Sequence, residues 1–574
     1  MKIAGSEILM KSLREEGVTT IFGHPSGMMF YPSDAQSDHP FNYILCRHEQ
    51  VAGHAAEGYY KATGRTGTVM VTSGPGATNC VTAIADALVD SMAMVVLSGQ
   101  VPAGVMGSDL AQEADVVGTT RACTKHNFLA LRPEDIPRII KEAYHIARSG
   151  RPGPVLVEFP KDVIVGQGVY KGYPTSVSIR GYNPQLSGHP GQIKKAADLL
   201  ARAKRPVIYG GGGIIHADAS EEFQELVDLT QIPTTLSLMG LGALRTDHPL
   251  WLGMLGMYGT QWANLCITHC DVMIAIGCRF DERVTGKFSD FGKQSHIIHV
   301  NIDPTSIQQN VKVDIPIVGD VKYVLRELNK ELHKVGRPWA KDFEEWYTQI
   351  EAWRKHHPVR YEQRGNKIKP QYAIDMILRL TEEYDPIVST GVGQHQMWAA
   401  QVYRGRHPRR WLTSGGLGTM GYGFPAALGA QAAFPDTLVV NIDGDGSFQM
   451  TMQDLCTLVH YKLPVKTFVI NNKGLGMLRQ WQQRYPTFAK ADLTHQPDFV
   501  KLAEACGVAG FRIERPEEVK AIIEKVINTP GPVVVDLVVE HTETCFPVMP
   551  VEAPFGNDSD IEEMAPDTSF PGWR

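Results

Sequence analysis

Along most of the chain, short apolar runs rich in β-branched residues alternate with longer stretches whose apolar positions recur at helical spacing. Runs at 19–23, 68–71, 94–98 and 155–159 predict strands in a first block. Those at 207–209, 272–276 and 296–302 predict strands in a second, and those at 438–442 and 465–470 in a third. Alternating strands and helices call for parallel sheets covered on both faces, so the expected architecture is α/β with three doubly wound parallel-sheet domains. The expected bounds are 1–170, 192–345 and 369–550. A Gly/Pro/Ser-rich stretch at 166–191 reads as a linker after the first domain, and a charged helical stretch at 339–360 precedes the third. Residues 551–574, rich in Pro, Gly and acid, read as a C-terminal tail.

Length agrees with this division, because 574 residues exceed what one hydrophobic core serves. A net charge of -6, a pI near 6.4 and no basic tract give no sign of nucleic-acid binding. Residues 1–18 read as an amphipathic helix and not as a secretory or transit leader. Apolar runs such as 92–97 are too short to cross a bilayer, so a cytoplasmic protein with no membrane partner is expected. The nine cysteines lie scattered without a CxxC pair, and Cys266, Cys270 and Cys278 read as buried small side chains.

The richest chemistry lies at 439–476, which reads as strand, acidic turn, helix, strand and a paired-asparagine turn. A right-handed crossover makes its two strands parallel, so Asp445 and Asn472, 27 positions apart, leave the same carboxyl edge of the sheet. A carboxylate, an amide oxygen and the backbone carbonyl of Gly474 are hard oxygen ligands, and magnesium completes such a set with phosphate oxygens and water. Gly444, Gly446 and Gly474 let the backbone come close.

GDGS followed at this distance by NN resembles the signature of thiamine diphosphate (ThDP) enzymes, and two further segments fit it. The stretch FNYILCRHEQVAGHAAEGYYKATG, 41–64, reads as a strand and then Glu49 at the start of a helix. The helix dipole alone accounts for an acid there; the resemblance sets Glu49 against the cofactor's pyrimidine ring. STGVGQHQMWAAQ at 389–401 and SGGLGTMGYGFPAALGAQ at 414–431 are glycine-rich turns leading into helices, whose N–H groups suit a diphosphate. By resemblance the ThDP contacts are Val392, Gly393, Gln394, His395, Gly418, Met420, Gly444, Gly446, Ser447, Leu475, Gly476 and Met477. Met420 is then the wedge that keeps the cofactor bent, and Asp445, Asn472 and Gly474 hold Mg2+.

Nearly the whole chain is similar to the catalytic subunits of the acetohydroxyacid synthases, also called acetolactate synthases. The likeness runs through TSGPGATN at 72–79, DLAQEADVVGTTRACTKHNF at 109–128, SGRPGPVLVEFPKD at 149–162 and MLGMYGT at 254–260. It continues in RFDERVTGKF at 279–288 and GMLRQWQQRY at 476–485. A strand followed by the glycine run 210–213 is weak evidence of a dinucleotide site. The resemblance extends it to FAD, with contacts implied at Arg151, Gly211, Gly212, Gly213, Ser237, Leu238, Met239, Gly277, Arg279, Arg283 and Asp320. Because the implied reaction transfers no net electrons, the flavin's implied role is structural.

That reaction decarboxylates pyruvate and ligates the hydroxyethyl unit to a second pyruvate or to 2-oxobutanoate, giving 2-acetolactate or 2-aceto-2-hydroxybutanoate for branched-chain amino-acid biosynthesis. Implied catalytic positions are Glu49, Gly27, Gln112 and Lys125. Arg283 is implied to meet the acceptor carboxylate, with Trp481 and Met477 beside the acceptor's alkyl group. The chain departs from the family pattern at Ser26, Met28 and Ala111, near the reacting carbon, and at Tyr258 and Asn301, near the flavin. Two rival expectations are a related carboligase or decarboxylase acting on another 2-oxo acid and an oxidoreductase of the pyruvate-oxidase type. The implied assembly is a homodimer or homotetramer with sites shared between chains, joined in family members by a small regulatory subunit.

Overall fold

The computed structural model describes residues 1–24, 41–359, 361–482 and 490–546. Three six-stranded parallel sheets organise them. In spatial order the first contains Asn42–Leu45, Thr20–His24, Gly67–Val71, Met94–Gln100, Pro154–Pro160 and His126–Leu129. The third contains Trp411–Leu412, Ile387–Thr390, Val439–Gly444, Lys466–Asn471, Val533–Val538 and Ala509–Ile513. Counted along the chain within each sheet, both read 2-1-3-4-6-5. The central sheet, built from Pro206–Gly210, Thr234–Leu236, Trp251–Met254, Val272–Ile276, His296–Asn301 and Ile315–Val318, reads 3-2-1-4-5-6, the order of dinucleotide-binding folds.

The interior strands are Val- and Ile-rich and buried along their length, as a sheet covered on both faces requires. The first sheet and part of the third share one apolar core, other strand residues of the third pack in a second core with Leu241, Met254 and Met257 of the central domain, and most of the central sheet has its own. The joint is the crossing of helix Glu49–Thr63 on helix Gly423–Ala433. A Cβ at Gly58 would overlap the Ala426 carbonyl, and one at Gly429 would overlap that of Ala55. Glycine is thus required where the two backbones touch.

The beginning of the chain differs from its expected helix. Lys2–Ala4 is a strand paired antiparallel with Gln167–Val169, and the helix runs only over Gly5–Glu15. The partner strand lies in the stretch that reads as a linker, so helical periodicity in the first residues was outweighed by a distant backbone pairing. The charged stretch before the third sheet forms two helices, Trp339–Asp342 and Glu344–His356. The tail 551–574 lies outside the described residues.

Candidate active site

At the carboxyl edge of the third sheet four turns converge, each following a different strand. After Ile387–Thr390 come Val392, Gly393, Gln394 and His395, which open the helix Gln394–Val402; after Trp411–Leu412 come Gly418 and Met420. After Val439–Gly444 the chain enters a one-turn helix, Asp445–Phe448, that includes Gly446 and Ser447. After Lys466–Asn471 come Asn472, Gly474, Leu475, Gly476 and Met477.

Missing side chains let these turns meet. A Cβ on Gly446 would lie 2.7 Å from Leu475 Cδ2 and 3.6 Å from Met420 Cε, and one on Gly444 would lie 2.7 Å from the His395 ring. One on Gly476 would lie 2.5 Å from Asn472 Nδ2, whereas one on Gly418 would be in ordinary contact, 3.9 Å from Val392 Cγ1. Ser447 Oγ accepts a bond of 2.9 Å from the Gly421 N–H, fixing the second turn to the third.

Asp445 Oδ2 accepts from the Gly474 N–H at 3.0 Å, so the two halves of the expected metal set adjoin. Asn472 turns its amide nitrogen toward Gln394 Oε1 at 3.4 Å and leaves Oδ1 buried with no partner. An orphaned amide oxygen at depth costs roughly 1–3 kcal/mol unless something binds it. Burial pushes the Asp445 carboxyl up to about 7, opposed by backbone N–H groups of Gly446 and Gly474. A hard divalent cation such as Mg2+ fits this donor set, because it satisfies the amide oxygen and neutralises a desolvated carboxylate together. Burial also pushes Asp443 up to about 6 and holds His395 down to about 3, so the histidine is neutral in this sealed floor.

The first sheet presents a different carboxyl edge. Glu49 begins helix Glu49–Thr63, is 8% exposed, and accepts a bond of 2.9 Å at Oε2 from Asn79 Nδ2. Gly76 lies opposite, where a Cβ would stand 3.4 Å from Glu49 Oε1. Gln112, exposed and with a φ of 62°, backs onto this loop: a Cβ on Gly74 would lie 2.5 Å from the Gln112 carbonyl oxygen. Gly27, with the neighbouring departures Ser26 and Met28, lies outside the described residues. Among the described residues no hydrogen bond or ion pair joins Glu49 to Asp445, Asn472 or Gly474 of the same chain.

The structure does not bring Lys125 to that edge. It precedes strand His126–Leu129, at the amino edge of the parallel sheet. Its ammonium group donates to the carbonyls of Ile146 and Ser149, the latter at 2.8 Å, and to Tyr182 Oη at 3.1 Å. Burial lowers it to about 8. With three donors spent, it ties a loop and finds no support as a catalytic group.

At the carboxyl edge of the central sheet lies a cleft with about 1420 Å³ of space, its open mouth included. Gly212, Gly213, Ser237, Leu238, Met239, Gly277, Arg279, Arg283, Asp320 and Arg151 all line it; Gly211 lies behind the first of these. A Cβ on Gly213 would stand 2.7 Å from Gly277 Cα, so neighbouring turns press together where a pyrophosphate needs backbone approach. Arg279 and Arg283 form no ion pair among the described residues, whereas Arg151 is committed to Ser91 at 2.9 Å and Asp303 at 3.3 Å. Asn301 lines the cleft too, but donates to the Cys278 carbonyl at 3.0 Å and accepts from the Asp303 N–H at 2.9 Å. Free guanidinium groups and a glycine-lined turn suit a dinucleotide's diphosphate. Tyr258 also lines the cleft, and its hydroxyl donates to Met477 Sδ at 3.1 Å. The short helix Gly476–Gln482 carries Met477 and Trp481, and Gln480 pins it by accepting from Gln394 and the Cys545 N–H, each at 2.9 Å.

Sequence reasoning passed over Asn79, Gln480 and Cys545. Asn79 stood within the quoted TSGPGATN motif, yet nothing in its spacing reveals that it faces Glu49. Gln480 lay in plain view in RQWQ.

Family models match in three places: the N-terminal TPP binding domain of thiamine pyrophosphate enzymes over residues 3–119, their central domain over 193–328 and their C-terminal TPP binding domain over 391–537. The probable acetolactate synthase large subunit of Methanocaldococcus jannaschii is 45% identical over 555 residues, 95% of this chain and 93% of that one. The acetolactate synthase isozyme 3 large subunit of Escherichia coli is 44% identical, covering 95% and 96%. Acetolactate synthase 1, chloroplastic, of Nicotiana tabacum is 43% identical, covering 95% and 83%. Three matched family models and relatives similar over nearly the full length show that this chain belongs to the thiamine pyrophosphate enzymes, in the family of acetolactate synthase large subunits.

Proposed function

We propose that the protein is an acetolactate synthase, decarboxylating pyruvate and ligating the two-carbon unit to a second pyruvate or to 2-oxobutanoate. The products are 2-acetolactate or 2-aceto-2-hydroxybutanoate. The observation that carries this reading is a pair of sheets of one strand order, one edge bearing a buried, amide-held acid and the other an oxygen cluster with an orphaned ligand. Bound ThDP supplies the sink for the electrons left by departing carbon dioxide.

The chain's own residues do the rest. Glu49, oriented by Asn79, holds a proton against the pyrimidine ring. Asp445, Asn472 and Gly474 hold Mg2+, while the glycine turns at 392–395, 418–420 and 444–447 offer N–H groups to the diphosphate. Met420 would act as the wedge that the family resemblance implies. Arg283, exposed and without an ion pair among the described residues, meets the acceptor carboxylate, and Trp481 and Met477 flank its alkyl group. Gln112 completes the wall from the first domain, and Gly27 keeps the role that the family resemblance implies. FAD occupies the central cleft in a structural role. Lys125 contributes a fixed loop.

The site forms between the first domain of one copy and the third of another, making a homodimer the smallest active unit and a homotetramer a larger form. Two relatives are named as large subunits, which supports a small regulatory partner. A reducing, cytoplasmic location fits nine free cysteines, and no helix among the described residues is long and apolar enough to cross a membrane. The test is to incubate the purified protein with ThDP, Mg2+, FAD and pyruvate and identify the product. Acetolactate is expected; acetaldehyde alone would favour a decarboxylase, and acetate with flavin reduction an oxidase.

A further inference from the structure

Between two sites, the central cleft and the turns above the third sheet, lies a sealed group of charges that the chemistry above does not use. Helix Val81–Val89 presents Asp86, and Asp90 caps its C-terminus; they are 0% and 5% exposed. Both belong to the first domain, yet both reach the loop that follows strand Trp411–Leu412 of the third. Asp86 Oδ1 accepts from Ser414 Oγ at 2.7 Å and Thr419 Oγ1 at 3.0 Å. Ser414 Oγ in turn accepts from the N–H groups of Gly418 at 3.1 Å and Thr419 at 2.9 Å. Asp90 takes the N–H groups of Gly415 at 3.1 Å and Gly416 at 2.7 Å, and Lys61 bridges it at 3.4 Å while donating to the Thr413 carbonyl.

These bonds hold a segment that needs holding. The loop contains Gly415, Gly416 and Gly418, the last with a φ of 73°, and its tip residue Leu417 is exposed. Glycine-rich backbone loses more conformational freedom on ordering than any other. Its two ends serve different ligands. Gly415 and Asp90 line the central cleft, where a Cβ on Gly415 would lie 2.5 Å from Met239 Sδ. Gly418 and Met420 form part of the turn cluster above the third sheet, facing Val392 and Gly446.

We infer that the loop 414–420, gripped by Asp86 and Asp90, couples the two sites, so that a flavin in the central cleft and ThDP at the third sheet each tighten binding of the other. The inference rests on the cofactor assignment proposed above. The physical cause is that these bonds join the two ends of the loop into one unit, so that whichever cofactor fixes one end also fixes the wall used by the second, and the entropy of fixing it is lost once. Asp86 and Asp90 are positioning residues, acting through the loop they hold.

Linkage makes the test quantitative, because the factor by which FAD strengthens ThDP binding must equal the factor by which ThDP strengthens FAD binding. The full-length protein, stripped of cofactors and kept in saturating Mg2+, is titrated with ThDP by calorimetry with and without FAD. It is then titrated with FAD by flavin fluorescence with and without ThDP. About tenfold tighter binding is expected in each direction, with equal factors. In Ser414→Ala, which removes the hub of the loop, the factor should fall toward one, and Thr419→Val repeats the test should the first variant fold poorly. Cofactors that bind with unchanged affinity whether or not the other is present would overturn the coupling and leave the assignment standing, as would full coupling retained in a folded Ser414→Ala or Thr419→Val. Absence of binding by either cofactor alone or together would overturn the assignment itself.

Discussion

The first and third sheets have the same strand order and use the same edge, yet they carry opposite chemistry. The first offers an acid held by one amide, Asn79 to Glu49. The third offers glycine-lined turns around a carboxylate and an orphaned amide oxygen. A parallel sheet decides only where loops gather, and the residues placed in those loops decide what is bound there. In the function proposed above the two edges are complementary halves, one for the pyrimidine and one for the diphosphate with its metal.

Breaking the third-sheet half should have the largest effect. Asp445→Ala removes the proposed charged metal ligand, so roughly a thousandfold loss in kcat/KM is expected, with ThDP binding lost in calorimetry. Glu49→Gln should separate the halves: about a hundredfold loss in kcat from the proton-handling group, with ThDP and Mg2+ still bound. Asn79→Ala should cost about tenfold in kcat, the worth of a bond to a charged group, and Asn79→Asp should not rescue it, because two carboxylates would then repel.

Stability tests the joint that holds the halves in one chain. Gly58→Ala would gain about 0.5–1 kcal/mol of helix propensity in open helix, but its methyl would meet the Ala426 backbone. Overpacking wins, and a net loss of about 1–3 kcal/mol is expected in denaturant unfolding. The smallest effect concerns pH. Folding raises Asp445 to about 7 in the metal-free protein, so its contribution to stability is present at low pH and is lost as pH rises through 7. Mg2+ with ThDP offsets that loss by pairing the carboxylate. Removing the metal with a chelator should therefore lower Tm more at pH 8 than at pH 6.

Legibility in the sequence followed the physics of each feature. The placement of Asp445 and Asn472 on one sheet edge was readable because a βαβ unit has one handedness. The central cleft was readable as a glycine turn after a strand, but its flavin contacts came from resemblance alone. Strand His126–Leu129 is short and polar, and Trp411–Leu412 has only two residues, so neither shows a period-two pattern. Lys125 went astray because sequence gives no direction to a long side chain, and this one turns toward backbone carbonyls. Asp86 and Asp90 carried a signal that went unused: two acids four apart in the apolar helix VTAIADALVD are costly unless partnered. Their partners in the loop of the third domain lie more than 300 positions away.

The most direct test of complementary halves uses two inactive variants, Glu49→Gln and Asp445→Ala, mixed under conditions that exchange subunits. If each site joins the first domain of one copy to the third of another, mixed dimers contain one intact site, and about a quarter of native acetolactate formation should return. Activity that stays at the level of the separate variants, with exchange shown by mass-labelled subunits, would contradict a site shared between chains.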